Sequence, residues 1–155
     1  MVRLRAVSAL SSLLVLAFLG AACSGDDNEG ERSVINVAPR GPGTCLDFGD
    51  EVGAEVTELP VVDCAQPHSH EIFSVVLSPE DVYPGFDALE GEAQARCLGA
   101  FEDYVGISAF DSELFYSWLV PTLTSWDQED DREIICVAGE GNGAPLTGSV
   151  RGVAR

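Results

Sequence analysis

Residues 70–105, HEIFSVVLSPEDVYPGFDALEGEAQARCLGAFEDYV, contain the clearest strand and the clearest helix of the chain. Residues 70–77 are rich in β-branched and aromatic side chains and run into Ser78 and Pro79, which is typical of a strand that stops at a turn. From residue 86 to residue 105, apolar side chains recur every three or four positions, as on one face of a helix. These apolar residues are Leu89, Ala93, Cys97, Phe101, Tyr104 and Val105. We therefore predict a strand over residues 70–77 and a long helix over residues 86–105.

The sequence on either side of this stretch predicts further strands. Residues 114–120 and 133–138 have the composition of strands, and residues 44–48 and 59–63 are predicted as short strands around an acidic turn. Residues 122–131 are predicted as a turn. On the strand 133–138 the side chains that share one face, by the period of two, are Ile134, Cys136 and Ala138. Together these elements predict an α+β fold, an antiparallel sheet of four to five strands with one long helix packed on a face.

The five cysteines indicate a disulfide-bonded, exported domain. Setting Cys23 aside leaves Cys45, Cys64, Cys97 and Cys136, and four cysteines allow two disulfides in three connectivities. Spacing favours Cys45–Cys64 and Cys97–Cys136, because each bond would join neighbouring elements. The second bond would fasten the apolar face of the helix to the sheet. The chain has no CxxC pair, so the thiol spacing disfavours a structural zinc site.

The N-terminus has the pattern of a lipoprotein signal peptide. Met1 to Arg5 is a short basic region, and residues 7–22 form an apolar run that is short for a membrane span. The run ends in Leu19-Gly20-Ala21-Ala22-Cys23, which resembles a bacterial lipobox. We therefore expect residues 1–22 to be cleaved off and Cys23 to be modified with lipid, including a palmitate chain. The lipid would anchor the protein at the extracytoplasmic face of the cell membrane. The alternatives are simple secretion and an uncleaved anchor.

The segment after Cys23 has the composition of a tether. Residues 24–33 are polar and acidic, and residues 39–43 are rich in proline and glycine, so neither stretch can bury enough apolar surface to order itself. We expect residues 23–43 to be a flexible acidic tether and residues 44–155 to be the folded domain. The alternative for residues 34–37 is an extra edge strand.

The charge of the chain limits its partners. It has 8 Lys and Arg residues against 26 Asp and Glu, a formal net charge of −18. A protein that follows nucleic-acid phosphates needs a basic surface, so we expect no nucleic acid partner. The negative charge favours a basic partner surface or a cationic ligand, although a solvated acidic coat explains it as well.

The densest polar cluster of the sequence is the stretch 63–71, DCAQPHSHE, which holds both histidines. His68 and His70 lie two apart in an extended segment and would project the same way, so they could bind a metal ion or small ligand with Asp63 or Glu71 as a third group. The alternative is that both histidines are loop residues that form hydrogen bonds with backbone groups and carboxylates. No Gly-x-Ser-x-Gly motif is present, and oxidised cysteines cannot act as nucleophiles. We therefore expect no enzymatic activity and no cofactor.

Two further groups of residues are interpreted as structural. Acidic residues alternate at Asp127, Glu129 and Asp131, a spacing that could hold calcium. Arg132 stands where a calcium-binding loop would continue. We therefore expect a solvated turn in which Arg132 pairs with a neighbouring acid. The larger aromatic residues are predicted to lie in the core or at its rim, and they are Tyr104, Tyr116, Trp118 and Trp126.

Several segments, in their order along the chain, resemble the septum formation domain of actinobacterial envelope lipoproteins and membrane proteins. They are Gly43-Thr44-Cys45-Leu46, Val61-Val62-Asp63-Cys64, Pro67-His68 with Glu71, Tyr83-Pro84-Gly85, Cys97 with Phe101 and Tyr104-Val105-Gly106, Pro121-Thr122, Trp126, Asp131-Arg132 with Cys136, and Leu146-Thr147-Gly148-Ser149. The family pattern has a glycine before the Asp-Arg pair, and Asp130 stands there in this chain. His70 lies outside the pattern.

The resemblance implies a role in cell division or envelope growth and supplies no catalytic residues. We therefore expect a membrane-tethered, non-enzymatic lipoprotein that acts as an interaction module in septum formation or envelope assembly, with an envelope or division protein as its partner. The alternative is an extracytoplasmic lipoprotein that binds a metal ion or small ligand through His68 and His70.

Overall fold

The computed structural model describes residues 41–49 and 58–155. The predicted signal peptide 1–22, the lipid attachment site Cys23, most of the tether 23–43 and the alternative strand 34–37 lie outside the described residues. In the described ranges no helix has the length and apolar character needed to cross a membrane.

The described residues form one antiparallel sheet of five strands. The strands are β1 (Cys45–Leu46), β2 (Val61–Val62), β3 (His70–Leu77), β4 (Leu114–Leu119) and β5 (Glu133–Glu140). Their order across the sheet is β2-β1-β3-β5-β4, and all neighbouring pairs are antiparallel. With the long helix packed against it, this sheet confirms the predicted α+β fold.

The first two strands are shorter than predicted, and Pro60 gives the reason. Leu46 pairs with Val61, and beyond that pair the Asp47 amide still donates to the Pro60 carbonyl at 3.0 Å. Proline has no N–H to return the second hydrogen bond, so the ladder ends there. At the other side of the sheet, β5 extends two residues beyond its predicted end because Gly139 and Glu140 pair with β4.

Helix α1 (Phe86–Val105) has the predicted bounds, and the predicted apolar face is the buried one. It ends at Gly106, whose φ of 90° is left-handed and whose amide donates to the Glu102 carbonyl. A glycine adopts this conformation without the steric cost that other residues carry, so it stops the helix at that position.

The core lies on both faces of the sheet, with β5 in the middle. Ile134, Cys136 and Ala138 face α1 and pack with Phe73 of β3 and Phe101 of α1, as the period of two along the strand predicts. The intervening residues of β5 pack on the opposite face, and that second cluster consists of Leu46, Ile72, Ile135 and Val137. Each fully buried aliphatic or aromatic side chain contributes about 1.5–3 kcal/mol, so both faces stabilise the sheet.

Both favoured disulfides are present. Cys45–Cys64 spans 19 residues and Cys97–Cys136 spans 39 residues, which corresponds to about 3 and about 4 kcal/mol on the chain-entropy model. The second bond joins the buried face of α1 to the central strand, so the helix cannot leave the sheet while it is intact.

The predicted turn over residues 122–131 is wrong in part, because it contains a short helix, α2 (Leu123–Glu129). Thr122 caps it by accepting from the Ser125 amide at 3.0 Å, while the Ser125 hydroxyl accepts from the Thr122 amide at 3.1 Å. Such a reciprocal cap usually carries Glu or Gln at the position of Ser125. Its sequence signal is therefore weak, and the apolar content of the segment is low.

Asp130 ends α2 in the left-handed conformation, with φ 55° and ψ 31°. Asp and Asn tolerate this region better than most residues, although less well than glycine. Asp130 thus keeps the turn that a glycine at this position would make, and the following Arg132 and β5 stay in place.

Substitutions at Asp130 test this conformation. Asp130→Gly should raise the free energy of unfolding by up to about 1 kcal/mol because it removes the left-handed strain, and Asp130→Val should lower it by about 1–2 kcal/mol. The side chain is 92% exposed, so the lost ion pair with Arg132 should matter little. The measurement is the urea midpoint of each variant.

Asp127→Gly is the matched control, since Asp127 is an exposed acid inside α2. Glycine there should destabilise by about 1 kcal/mol. Equal losses for the two glycine variants would contradict the assignment of strain to Asp130.

Candidate functional site

Glu71 is a fully buried carboxylate on β3 that faces the end of α1. Its Oε1 accepts hydrogen bonds from the Tyr104 hydroxyl at 2.5 Å and the Ser149 hydroxyl at 2.7 Å, and its Oε2 accepts from the Val150 amide at 2.7 Å. A buried charge is expensive unless it is hydrogen-bonded, and each bond to a charged group contributes about 1.5–3 kcal/mol. Glu71 therefore joins the strand, the helix and the C-terminal residues.

Tyr104 is held in its protonated form in this arrangement. Burial raises the pKa of Tyr104 to about 12, the hydrogen bond to Glu71 and its negative charge add to the effect, and the Arg151 guanidinium 4.4 Å above the ring opposes it. The phenol therefore remains a hydrogen-bond donor throughout the physiological range.

The structure places His68 as a buried hydrogen-bonding residue beside Glu71. Its backbone exchanges two hydrogen bonds with Leu146, at 3.0 and 2.8 Å. Its Nδ1 lies 2.8 Å from the Gln66 carbonyl, and because a carbonyl only accepts, Nδ1 carries the proton. Its Nε2 is buried and has no hydrogen-bond partner among the described residues.

His70 is half-buried between two phenylalanine rings. Phe48 and Phe115 meet the imidazole edge to face, at centroid distances of 5.3 and 5.7 Å. The Ser69 hydroxyl donates to the Leu46 carbonyl and lies 3.0 Å from His70 Nδ1, so Nδ1 donates to Ser69. Burial, together with neighbouring His68, lowers the pKa of His70. His70 is therefore neutral at pH 7, with Nε2 as an acceptor.

Both histidines line one cavity of about 400 Å³. Phe115, which is 40% exposed, and the carboxylates of Asp47 and Glu140 also line it. The cavity lies within the range of about 300–1,000 Å³ that small-molecule sites occupy. Glu140 pairs with Arg155, so part of its charge is already balanced.

The predicted ligand set of Asp63, His68, His70 and Glu71 does not converge on one point. In the part of the chain that the structure describes, one group of three metal-binding side chains has its ligand atoms within 4.8 Å of one another, and it consists of Cys45, His68 and Glu71. The Cys45 sulfur is bonded to Cys64. Asp63 is exposed and accepts from the Ala65 amide at 2.9 Å, as in an ordinary turn.

The acids around α2 also form no such group within the described ranges. Arg132 pairs with Asp130 at 3.1 Å, as predicted, and its guanidinium lies 3.9 Å above the Trp126 ring. Trp126 and Tyr104 are buried, and Tyr116 and Trp118 pack at the edge of the core. These aromatic residues therefore occupy the predicted core and rim positions.

The network around Glu71 was not predicted from the sequence, because its donors come from distant parts of the chain. Tyr104 is 33 residues away, and Ser149 and Val150 are 78 and 79 residues away. A signal was available, since Glu71 stands two positions before Phe73 and so shares the side of β3 that faces α1. An acid at such a position needs donors from the elements that cover it.

Comparison with known proteins gives one family. A family model described as Septum formation matches residues 31–136, which is more than half of the chain. The match ends at Cys136, so Leu146–Ser149 of the noted resemblance lie beyond it. No curated protein and no solved structure matches the chain.

Alkaline titration tests the network around Glu71. The pKa of Tyr104 in the folded protein, about 12, lies above the value of about 10 for an unfolded tyrosine. The phenol's contribution to stability is therefore complete below about pH 10 and is lost as the pH rises through about 12. The free energy of unfolding should fall over this range in the native protein, and less in Tyr104→Phe.

Tyr116→Phe, at the rim of the core, is the matched control, and it should show the same alkaline loss as the native protein. Denaturant unfolding at a series of pH values gives the comparison. An equal alkaline loss in Tyr104→Phe would show that another group causes it.

Proposed function

Because the chain belongs to the septum formation family, whose description indicates a role related to cell division, we propose that it is a membrane-tethered, non-enzymatic lipoprotein. It acts as an interaction module in septum formation or the associated envelope assembly, on the extracytoplasmic face of the cell membrane. Its partner is an envelope or division protein. The family match over residues 31–136 is the observation on which this proposal rests.

The two disulfides support export. Disulfides persist in oxidising compartments and are rare in the cytosol, and here they join the strands to each other and the helix to the sheet. The apolar run before Cys23 supplies the matching export signal. A lipid on Cys23 would hold the domain at the membrane, with residues 24–43 as the spacer.

The state of the buried polar groups supports a binding role over catalysis. Four cysteines are oxidised, Glu71 accepts three hydrogen bonds, and Tyr104 keeps its proton up to high pH. These groups hold elements together, and none of them is poised as a nucleophile or a general base near pH 7.

A complementation experiment tests the proposal. Cells lacking the gene should divide late and grow longer, and the full chain should restore the normal interval between septa. Cys23→Ala should be exported but released from the membrane, and should restore division poorly because its local concentration at the membrane falls. Cell length and the membrane fraction of the protein are measured together.

Ser24→Ala is the matched control, since it changes a neighbouring polar residue and leaves Cys23 in place. Membrane retention of Cys23→Ala would contradict the tether. Normal division without the gene would contradict the division role.

The cavity beside His70 favours a second candidate function, the binding of a metal ion or small ligand. Both imidazoles line it, and the Nδ1 of each is engaged by a fixed oxygen, the Gln66 carbonyl for His68 and the Ser69 hydroxyl for His70. Metal-binding histidines usually have this arrangement, in which the second nitrogen donates to a carbonyl or another fixed acceptor. This candidate extends the prediction for His68 and His70 made from the sequence.

Thermal unfolding with Zn²⁺ or Cu²⁺ tests this candidate. A ligand that binds only the folded state at about 100 times its dissociation constant stabilises it by about 2.7 kcal/mol. The melting temperature should rise with the ion, and the rise should disappear in His70→Gln. Asp63→Asn is the control, because Asp63 lies outside the cavity lining. An unchanged melting temperature with both ions would remove metal binding from consideration.

A further inference from the structure

Four large apolar side chains are exposed near the end of β3 and the two helices that flank it. Leu77 is 64% exposed, Val82 78%, Phe86 54% and Leu123 55%. They belong respectively to the end of β3, the connection from β3 to α1, the start of α1 and the start of α2. Single exposed apolar residues are common, whereas a group of them at one end of a domain indicates a surface for a partner.

Contacts between these elements hold the four residues at the same end of the domain. The Tyr83 ring, beside Val82, meets the Trp126 ring of α2 edge to face at 5.6 Å. Arg132 covers the other part of Trp126, and its carbonyl accepts from the Ser78 amide at 2.9 Å, directly after Leu77. The surface is therefore preformed by packing around a buried tryptophan.

The surroundings of this apolar group are strongly acidic. A cavity of about 620 Å³ is lined by Leu77 and residues 129–133, which supply four carboxylates and Arg132. The Arg132 guanidinium is already engaged by the Trp126 carbonyl, the Asp131 carbonyl and the Asp130 carboxylate. Further exposed negative charges lie on the connection from β3 to α1, at the start of α1 and on α2. They are Glu80, Asp81, Asp87 and Asp127.

We propose that this surface, made of Leu77, Glu80, Val82, Phe86, Leu123 and the carboxylates of residues 129–133, docks a basic segment of a partner protein that carries apolar anchors. Leucine- or phenylalanine-like side chains of the partner cover the exposed apolar group, and its lysine or arginine side chains face the carboxylates. This inference rests on the proposed function and gives the chemistry of the partner.

The negative charge of the surface favours a basic segment over two other occupants, a second copy of the chain and an anionic lipid surface. A second copy of the chain would bring an acidic rim against an acidic rim, and each copy has a net charge of −18. An anionic lipid surface is repelled in the same way. A basic segment gains attraction at long range, which raises its rate of association and fixes its orientation.

Peptide binding to the full chain, purified in nonionic detergent with both disulfides oxidised, tests the proposal. The probe is a fluorescein-labelled peptide, Lys-Leu-Lys-Leu-Phe-Lys-Leu-Lys, measured by anisotropy at about physiological ionic strength, where weak long-range attraction is screened. Two control peptides carry glutamate at every lysine or serine at every apolar position. We expect saturable binding of the first peptide and at least about tenfold weaker binding of both controls, because both parts of the surface contribute.

Surface variants assign the binding to this end of the domain. Leu77→Ser with Leu123→Ser, and separately Glu80→Gln with Glu129→Gln, should each weaken binding at least about tenfold. Phe110→Ser is the matched control, since Phe110 is 84% exposed and lies after the other end of α1, and it should leave binding unchanged. A thermal unfolding transition like that of the native protein shows that each variant is folded.

Several results would overturn the proposal. They are the absence of saturable binding, equal binding of the glutamate or serine peptide, an equal loss in Phe110→Ser, or concentration-dependent self-association that Leu77→Ser with Leu123→Ser removes. The complementation experiment separates the two proposals. Normal rescue by the surface variants together with failed peptide binding would remove the docking surface and leave the division role, whereas normal division without the gene would remove the role and leave the binding result.

Discussion

The three hydrogen bonds to the Glu71 carboxylate are the constraint on which most of this domain depends. The carboxylate is fully buried, so the fold must supply donors from every element around it or lose several kcal/mol. Tyr104 brings the end of α1, and Ser149 and Val150 bring the C-terminal residues. These residues continue along the helix end, where the Gly152 amide donates to the Tyr104 carbonyl and the Ala154 amide to the Val105 carbonyl. Glu71 thus joins the start of β3 to the end of α1 and to the C-terminal residues.

The geometry of the histidine cavity follows from these contacts around Glu71. With Val150 fixed to Glu71, Leu146 lies where it can exchange hydrogen bonds with His68. The Ser69 hydroxyl and the Phe48 and Phe115 rings then set the orientation of His70. Gly139 is also required, because a β-carbon there would stand 2.9 Å from the Phe115 ring and 3.0 Å from the Ser69 carbonyl. The ring that packs against His70 therefore keeps its position only while β5 has no side chain at Gly139.

The parts of the fold that the sequence predicts are those whose signal is local. Strand β3 has its predicted bounds because its β-branched and aromatic composition ends at Ser78 and Pro79. Helix α1 has its predicted bounds because its apolar positions repeat with the period of a helix, and the spacing that favours Cys97–Cys136 agrees with that pattern. Helix α2 was missed because Ser125 replaces the usual acid of its capping box, so its cap has no distinctive residue. The role of Glu71 was missed because its donors lie up to 79 residues away, and no local pattern encodes such a separation. The histidines were found as a cluster, but their separate environments depend on Leu146 and Phe115.

Strand β3 carries the two candidate binding regions at its opposite ends. His70 begins the strand and lines the cavity, and Leu77 ends it within the acidic and apolar surface. The seven residue steps from His70 to Leu77 span about 23 Å, and the strand is paired with β5 over this length except at Phe73, where the register shifts. A partner segment docked around Leu77 therefore leaves the cavity at His70 accessible. Binding at the two regions is therefore compatible in one molecule, because the strand between them keeps the surface around Leu77 apart from the cavity at His70.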